Sequence, residues 1–168
     1  MKRVFPVSLA TLLLGLLGCG RSEPAAPAAP EVDETAVWRE KYFGPDAVAA
    51  KDIAWRSTGL GVRIIAPGEG SAPSMTDRVM VHYVGRLKDG RVFEDSHLRG
   101  KPPVFVVNQL VTGWAAAMPL LKPGGRAVFY IPPHLGYGGL RSGNIPAYSG
   151  LIFEVELIAV NPDEPAKP

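Results

Sequence analysis

The sequence predicts an α+β domain in which a curved, mainly antiparallel β-sheet wraps around one short α-helix. Three observations carry this. Strand signals are dense from Gly59 onward. The segments between them are of hairpin or loop length, whereas parallel neighbours would need long crossover connections. Only one stretch after Gly59, residues 112–118, reads as a helix.

The chain of 168 residues begins Met1-Lys2-Arg3, continues through an apolar run from Val4 to Leu17 and reaches Gly18-Cys19. This charged, apolar and small-residue order is that of an export signal, so residues 1–18 are expected to be a signal peptide. Leu16-Leu17-Gly18-Cys19 resembles the lipobox of bacterial lipoproteins. That resemblance implies cleavage before Cys19 and acylation of it, anchoring at a membrane and, with Gly20 rather than Asp following, an outer-membrane location facing the periplasm. Cys19 is the only cysteine, so no intrachain disulfide can form. Residues 19–34, rich in Pro, Ala and acid, have no apolar periodicity and read as an extended tether.

Residues 35–58 form a short helical extension. Residues 45–51 read as its helix, and Trp38, Tyr42, Phe43 and Trp55 supply aromatic surface. Those aromatics could pack on the same chain or on another subunit, and the nearest core is the favoured destination.

The domain proper is placed at residues 59–160. Residues 61–65 are β-branched and closed by Pro67-Gly68, a strand with its stop. Residues 78–85 form the second strand, and an Asp89-Gly90 turn leads into a third through Val92 and Phe93. Residues 105–107 make a fourth strand. Residues 126–131 make a fifth, stopped by Pro132-Pro133 because proline lacks the N–H a ladder needs. The helix at 112–118 contains Ala115, Ala116 and Ala117 and is ended by Pro119. In the last strand Leu151, Phe153, Val155 and Leu157 alternate with Glu154 and Glu156, one face in the core and one in water. Residues 161–168 read as a disordered tail.

Charge and spacing exclude several classes. Without Lys2 and Arg3 the chain carries 16 basic against 16 acidic residues, with no basic cluster. A chain of that balance has no electrostatic footprint for nucleic acid. His82, His97 and His134 lack metal-ligand spacing. Gly136-Tyr137-Gly138-Gly139 lacks the ending of a phosphate cradle. No nucleophile elbow occurs. Neither a cofactor nor a metal is expected.

The chemistry resides in a dispersed set: Val81-His82-Tyr83-Val84-Gly85, Asp89-Gly90-Arg91-Val92-Phe93-Glu94-Asp95-Ser96, Arg99-Gly100-Lys101-Pro102, Gly113-Trp114, Ile131-Pro132-Pro133, Gly136-Tyr137-Gly138, Ile145-Pro146 and the final strand. In this order and spacing the set resembles the FKBP-type peptidyl-prolyl cis-trans isomerases over about a hundred residues. The resemblance implies a half-barrel around a short helix and rotation of X-Pro bonds in unfolded or exported polypeptides. It makes Trp114 the floor under the proline ring, with Tyr83, Phe93, Leu110, Val111, Ile145 and Phe153 as walls. Tyr137 becomes a hydroxyl donor to a ligand carbonyl, the Val111 N–H a backbone contact, and Glu94 and Asp95 the acidic side. Macrolide inhibitors of the family are possible ligands. The chain departs from the family in having Glu94 for Asp, Asp95 for Ser, Ala147 after Ile145-Pro146 for Pro, and Pro103 where many members carry an aromatic.

Read one at a time, the aromatics could equally be core. Adjacent on a strand, Glu94 and Asp95 should face opposite ways. Two other functions stay open beside the isomerase. One is a holdase that grips proline-containing segments with little turnover. The other is a lipoprotein spacer, which would need no concave aromatic site.

Overall fold

A computed structural model describes residues 33–162. The expected signal peptide, Cys19, nearly all of the tether and residues 163–168 of the expected tail lie outside them. In chain order the described elements are α1 (Glu34–Phe43), α2 (Pro45–Ala49), β1 (Ala54–Trp55), β2 (Gly61–Ala66), β3 (Arg78–Arg86), β4 (Val92–Asp95), β5 (Val104–Val106), α3 (Thr112–Ala117), β6 (Gly125–Ile131) and β7 (Leu151–Val160). Short 3-10 turns punctuate them, including one at Ser96–Arg99.

All strand pairings are antiparallel, and the sheet runs β1-β2-β6-β7-β3-β4, with β5 also paired to β3. β3 and β7 form its spine, Tyr83 opposite Val155 and Gly85 opposite Phe153. Register shifts at Met80/Val81, Ile64/Ala66 and Gly85/Arg86 mark bulges, which bend and twist a strand and so curve the sheet. On β3 and β7 buried residues alternate with more exposed ones, as the period-two pattern predicts. The concave face and α3 enclose the main core of Val79, Val81, Leu121, Phe129, Ile131, Leu151 and Leu157.

Several boundaries differ from the sequence reading, among them the helix read at residues 45–51, which ends at Ala49. The fourth strand is Val104–Val106, and Val107 opens a 3-10 turn. α3 ends at Ala117, and Met118 and Pro119 continue as a 3-10 turn, a geometry that tolerates proline in its first positions. α1 begins at Glu34, inside the stretch read as tether, and was not visible as a helix because Val37, Trp38, Tyr42 and Phe43 make no clean apolar stripe. What sets its start is Asp33, whose carboxylate accepts the N–H of Thr35 at 3.0 Å and of Ala36 at 3.2 Å. Gly44 ends it with φ 84°, and Pro45 opens α2.

α1 and α2 cover part of the sheet's outer face. Phe43, Ala47 and Ile53 pack on Val128 and Tyr130, with Trp38, Tyr42 and Trp55 around them. Phe43 meets Tyr130 edge-on at 5.7 Å, and the Arg39 guanidinium lies 4.7 Å over the Trp55 ring. Among the described residues, no helix is long and apolar enough to cross a membrane.

Candidate functional site

The site is built where α3 meets the concave face. Val111 precedes the helix, and its carbonyl accepts the N–H of Trp114 at 2.9 Å and of Ala115 at 3.1 Å. Gly113 allows the helix to lie against β6: a Cβ there would sit 2.5 Å from Ile131 Cγ2. That close approach directs the Trp114 indole into the middle of the curved sheet.

Around the indole the rings meet edge to face. Trp114 lies 5.3 Å from Tyr83, 5.2 Å from Phe153 and 5.7 Å from Phe129, and Phe93 stands 5.4 Å from Phe153. These are the separations and orientations that the ring quadrupole favours. Ile145 belongs to the same cluster, with Leu110 and Val111 packed against it. Its place comes from a two-way hydrogen bond with Ser142 in the loop before β7.

Depth grades across the cluster. Trp114 is only 4% exposed, Tyr83 and Phe153 5%, while Phe93, Leu110 and Val111 are half-buried and Tyr137 is 37% exposed. The indole is therefore as deep as many core residues, and only the rim meets water freely.

Charge gathers on one side of the rim. Glu94 is paired with the Arg99 guanidinium. Burial, followed by a hydrogen bond to Glu94 and the charge of that carboxylate, pushes the Tyr83 phenol well above its usual range. Burial and then the Glu94 charge also raise the Tyr137 phenol. Both hydroxyls thus stay protonated and able to donate at physiological pH. Asp95 turns the other way, accepting the His97 N–H at 2.9 Å as the cap of the turn Ser96–Arg99. The structure therefore gathers Tyr83, Phe93, Glu94, Leu110, Val111, Trp114, Tyr137, Ile145 and Phe153 and leaves Asp95 on the outer side of β4. Cys19 lies outside the described residues.

Several contributors were not singled out from sequence. Gly85 lets two rings lie on β3, since a Cβ there would be 2.5 Å from Phe93 and 2.9 Å from Phe153. Arg99 holds Glu94, Phe129 backs the indole, and Phe105 stands 6.2 Å from Tyr83. Arg99 and Gly85 sit inside the quoted motifs, but their partners become apparent only across strands. No group of His, Cys, Asp or Glu that could hold a metal occurs among the described residues.

Residues 69–158 match the family described as FKBP-type peptidyl-prolyl cis-trans isomerase. A probable FKBP-type isomerase of Haemophilus influenzae is 41% identical over 121 residues, 71% of this chain and 50% of that protein. The FKBP-type 22 kDa isomerase of Escherichia coli is 46% identical over 104 residues, 61% of this chain and 50% of that protein. The chain thus spans about half the length of these curated relatives. Among solved structures, FkpA from Escherichia coli superposes with a TM-score of 0.69 at 36% identity, covering 77% of this chain and 59% of that one. An isomerase from Pseudomonas syringae pv. tomato gives 0.65 at 33% identity, covering 76% of this chain and 94% of that one.

Proposed function

Because the chain belongs to the FKBP-type peptidyl-prolyl cis-trans isomerase family, we propose that its domain accelerates rotation about X-Pro bonds by taking the proline ring into the aromatic hollow over Trp114. The observation that carries this reading is the edge-to-face set of Trp114, Tyr83, Phe153 and Phe93 with Glu94, Arg99 and Tyr137 at its rim.

Turning an X-Pro bond passes through a twisted amide without resonance, behind a barrier of about 18 to 20 kcal/mol. The planar amide has a large dipole that water solvates well, and twisting reduces it. A dry aromatic hollow disfavours the planar form more than the twisted one, which is differential binding of the transition state. No covalent step is needed. A millionfold acceleration corresponds to about 8 kcal/mol, so desolvation and directed hydrogen bonds must share it. Tyr137, exposed and held protonated, is the candidate donor to a substrate carbonyl. The Val111 N–H is the candidate contact on the helix side. With the indole so deep, the ring must enter past Phe93, Val111 and Tyr137.

The direct test is the cis/trans exchange rate of a short X-Pro peptide with and without the purified protein. No acceleration would overturn the isomerase reading. A holdase is the second reading, favoured by Leu98 at 86% and Leu140 at 75% exposure on the loops that carry Arg99 and Tyr137. Peptide binding without acceleration would select it.

We further propose export and lipid anchoring through Cys19, on the strength of residues 1–19. Stable attachment follows from more than one acyl chain. Cys19→Ser should move the protein out of the membrane fraction, and its retention there would refute the anchor.

A further inference from the structure

The outer face of the sheet carries an arrangement that the proposed reaction does not use. His82 stands on the side of β3 opposite the hollow, and His97, from the turn after β4, lies flat over it. Their ring centroids are 4.3 Å apart and their planes 13° from parallel. His82 Nδ1 lies 3.0 Å from Ser96 Oγ, and that oxygen also accepts the Tyr83 N–H at 2.8 Å. Ser96 is fully buried. His97 is held from below by Asp95, whose Oδ1 accepts its N–H and lies 2.9 Å from its Nδ1. One line of contacts therefore runs from the stack through Ser96 to the backbone of Tyr83. Another runs along the turn to Arg99 and so to Glu94.

Protons bear on both lines. Ser96 Oγ accepts the Tyr83 N–H, so its own hydrogen can go to a neutral His82 Nδ1. Once His82 holds a proton on both nitrogens, that hydroxyl hydrogen loses its acceptor inside a site closed to water, which is costly. Charged groups face the stack from the neighbouring strands. Glu156 faces His82 from β7, and Arg126 faces Glu156 from β6. Glu154 lines the same shallow groove and is paired with Arg86 at 3.3 Å, while Asp95 lies under His97. Glu94 and Arg99 neutralise one another. Three carboxylates and two guanidiniums thus surround the stack. Two imidazolium rings there would put two like charges in face-to-face contact.

We propose that Ser96 and the stacked His82–His97 pair are positioning residues for the isomerase site, and that protonating the second imidazole releases the turn carrying Arg99 and weakens the Tyr83–Glu94 side of the hollow. This rests on the isomerase reading for its catalytic consequence and on the stack alone for its structural one. Histidine is the side chain that ordinarily changes charge between about pH 5 and 8, so acidification across that range is the perturbation.

The test compares the full chain with the double variant His82→Asn, His97→Phe, which keeps a side-chain oxygen for the Ser96 hydroxyl and a ring over position 82 but cannot become charged. His97 is half-exposed and His82 only partly buried, so the substitutions spare the core. From pH 7.5 to 5.5, kcat/KM for an X-Pro peptide should fall about fivefold or more in the wild type and stay nearly level in the double variant. Independently of turnover, exchange protection of the Tyr83 and Gly100 amides, corrected for the intrinsic effect of pH, should fall in the wild type alone. Equal protection in the two proteins at both pH values, or the same acid limb of kcat/KM in both, would overturn the proposal. A wild type without turnover at any pH, yet with the differential loss of protection, would refute the isomerase reading and support the stack.

Discussion

Replacing Trp114 by leucine separates a catalytic floor from a core residue. The indole makes three edge-to-face contacts, with Tyr83, Phe129 and Phe153, at 5.2 to 5.7 Å. Each such pair contributes about 0.5 to 1.5 kcal/mol beyond buried area. Truncation to alanine would cost about 3 to 5 kcal/mol, a large part of the roughly 5 to 15 kcal/mol that holds a domain together. Leucine refills some of the volume and should cost about 2 to 3 kcal/mol, leaving the protein folded. If the indole also contributes about 2 to 3 kcal/mol of transition-state stabilisation, kcat/KM falls by roughly 30- to 150-fold. The assay pairs X-Pro exchange in a short peptide with urea unfolding of the same preparation, so that activity is counted per folded molecule. A folded Trp114→Leu protein with wild-type kcat/KM would refute the placing of proline over the indole.

Further outcomes follow from the same geometry. Tyr137→Phe removes an exposed hydroxyl, so stability should change by less than about 0.5 kcal/mol, while loss of one hydrogen bond lowers kcat/KM by about 3- to 10-fold. Both are read by the assays above. Phe43→Ala opens the cluster that fastens α1 to Tyr130, and should cost about 3 to 5 kcal/mol in urea unfolding without changing the kcat/KM of the folded fraction. Asp33 and Asp95 are both held below the usual carboxylate value of 3.8, Asp33 first by its hydrogen bond with Thr35 and Asp95 first by the His97 N–H. A depressed folded value means that the unfolded chain binds protons first. The contribution is therefore whole above pH 3.8 and drains as pH falls through the lower folded values. Asp95→Asn should flatten the stability curve below about pH 4 relative to wild type, as measured by urea midpoints from pH 2 to 6.

Local rules carried most of the fold. Period-two alternation along β7, an Asp-Gly turn and proline stops at Pro67 and Pro132 each act over a few residues, so they can be read without knowing what lies opposite. The family resemblance then singled out Trp114, Tyr83, Phe93 and Phe153, which composition alone could not separate from core.

What only the folded chain decided is set by partners distant in sequence. Arg99 reaches Glu94, Gly85 is empty because two rings lie over it, and α1 is held by Phe43 on Tyr130, 87 positions away. The alternation of β4 foretold that Glu94 and Asp95 would part, but not that a bulge at Phe93 would bring Phe93 and Glu94 to the same site, nor that Asp95 would cap a turn under a stacked histidine pair. Side-chain direction is local geometry and survives in the sequence pattern. Which residue meets which across the sheet depends on register and bulges, and these are fixed by the summed packing of the whole core.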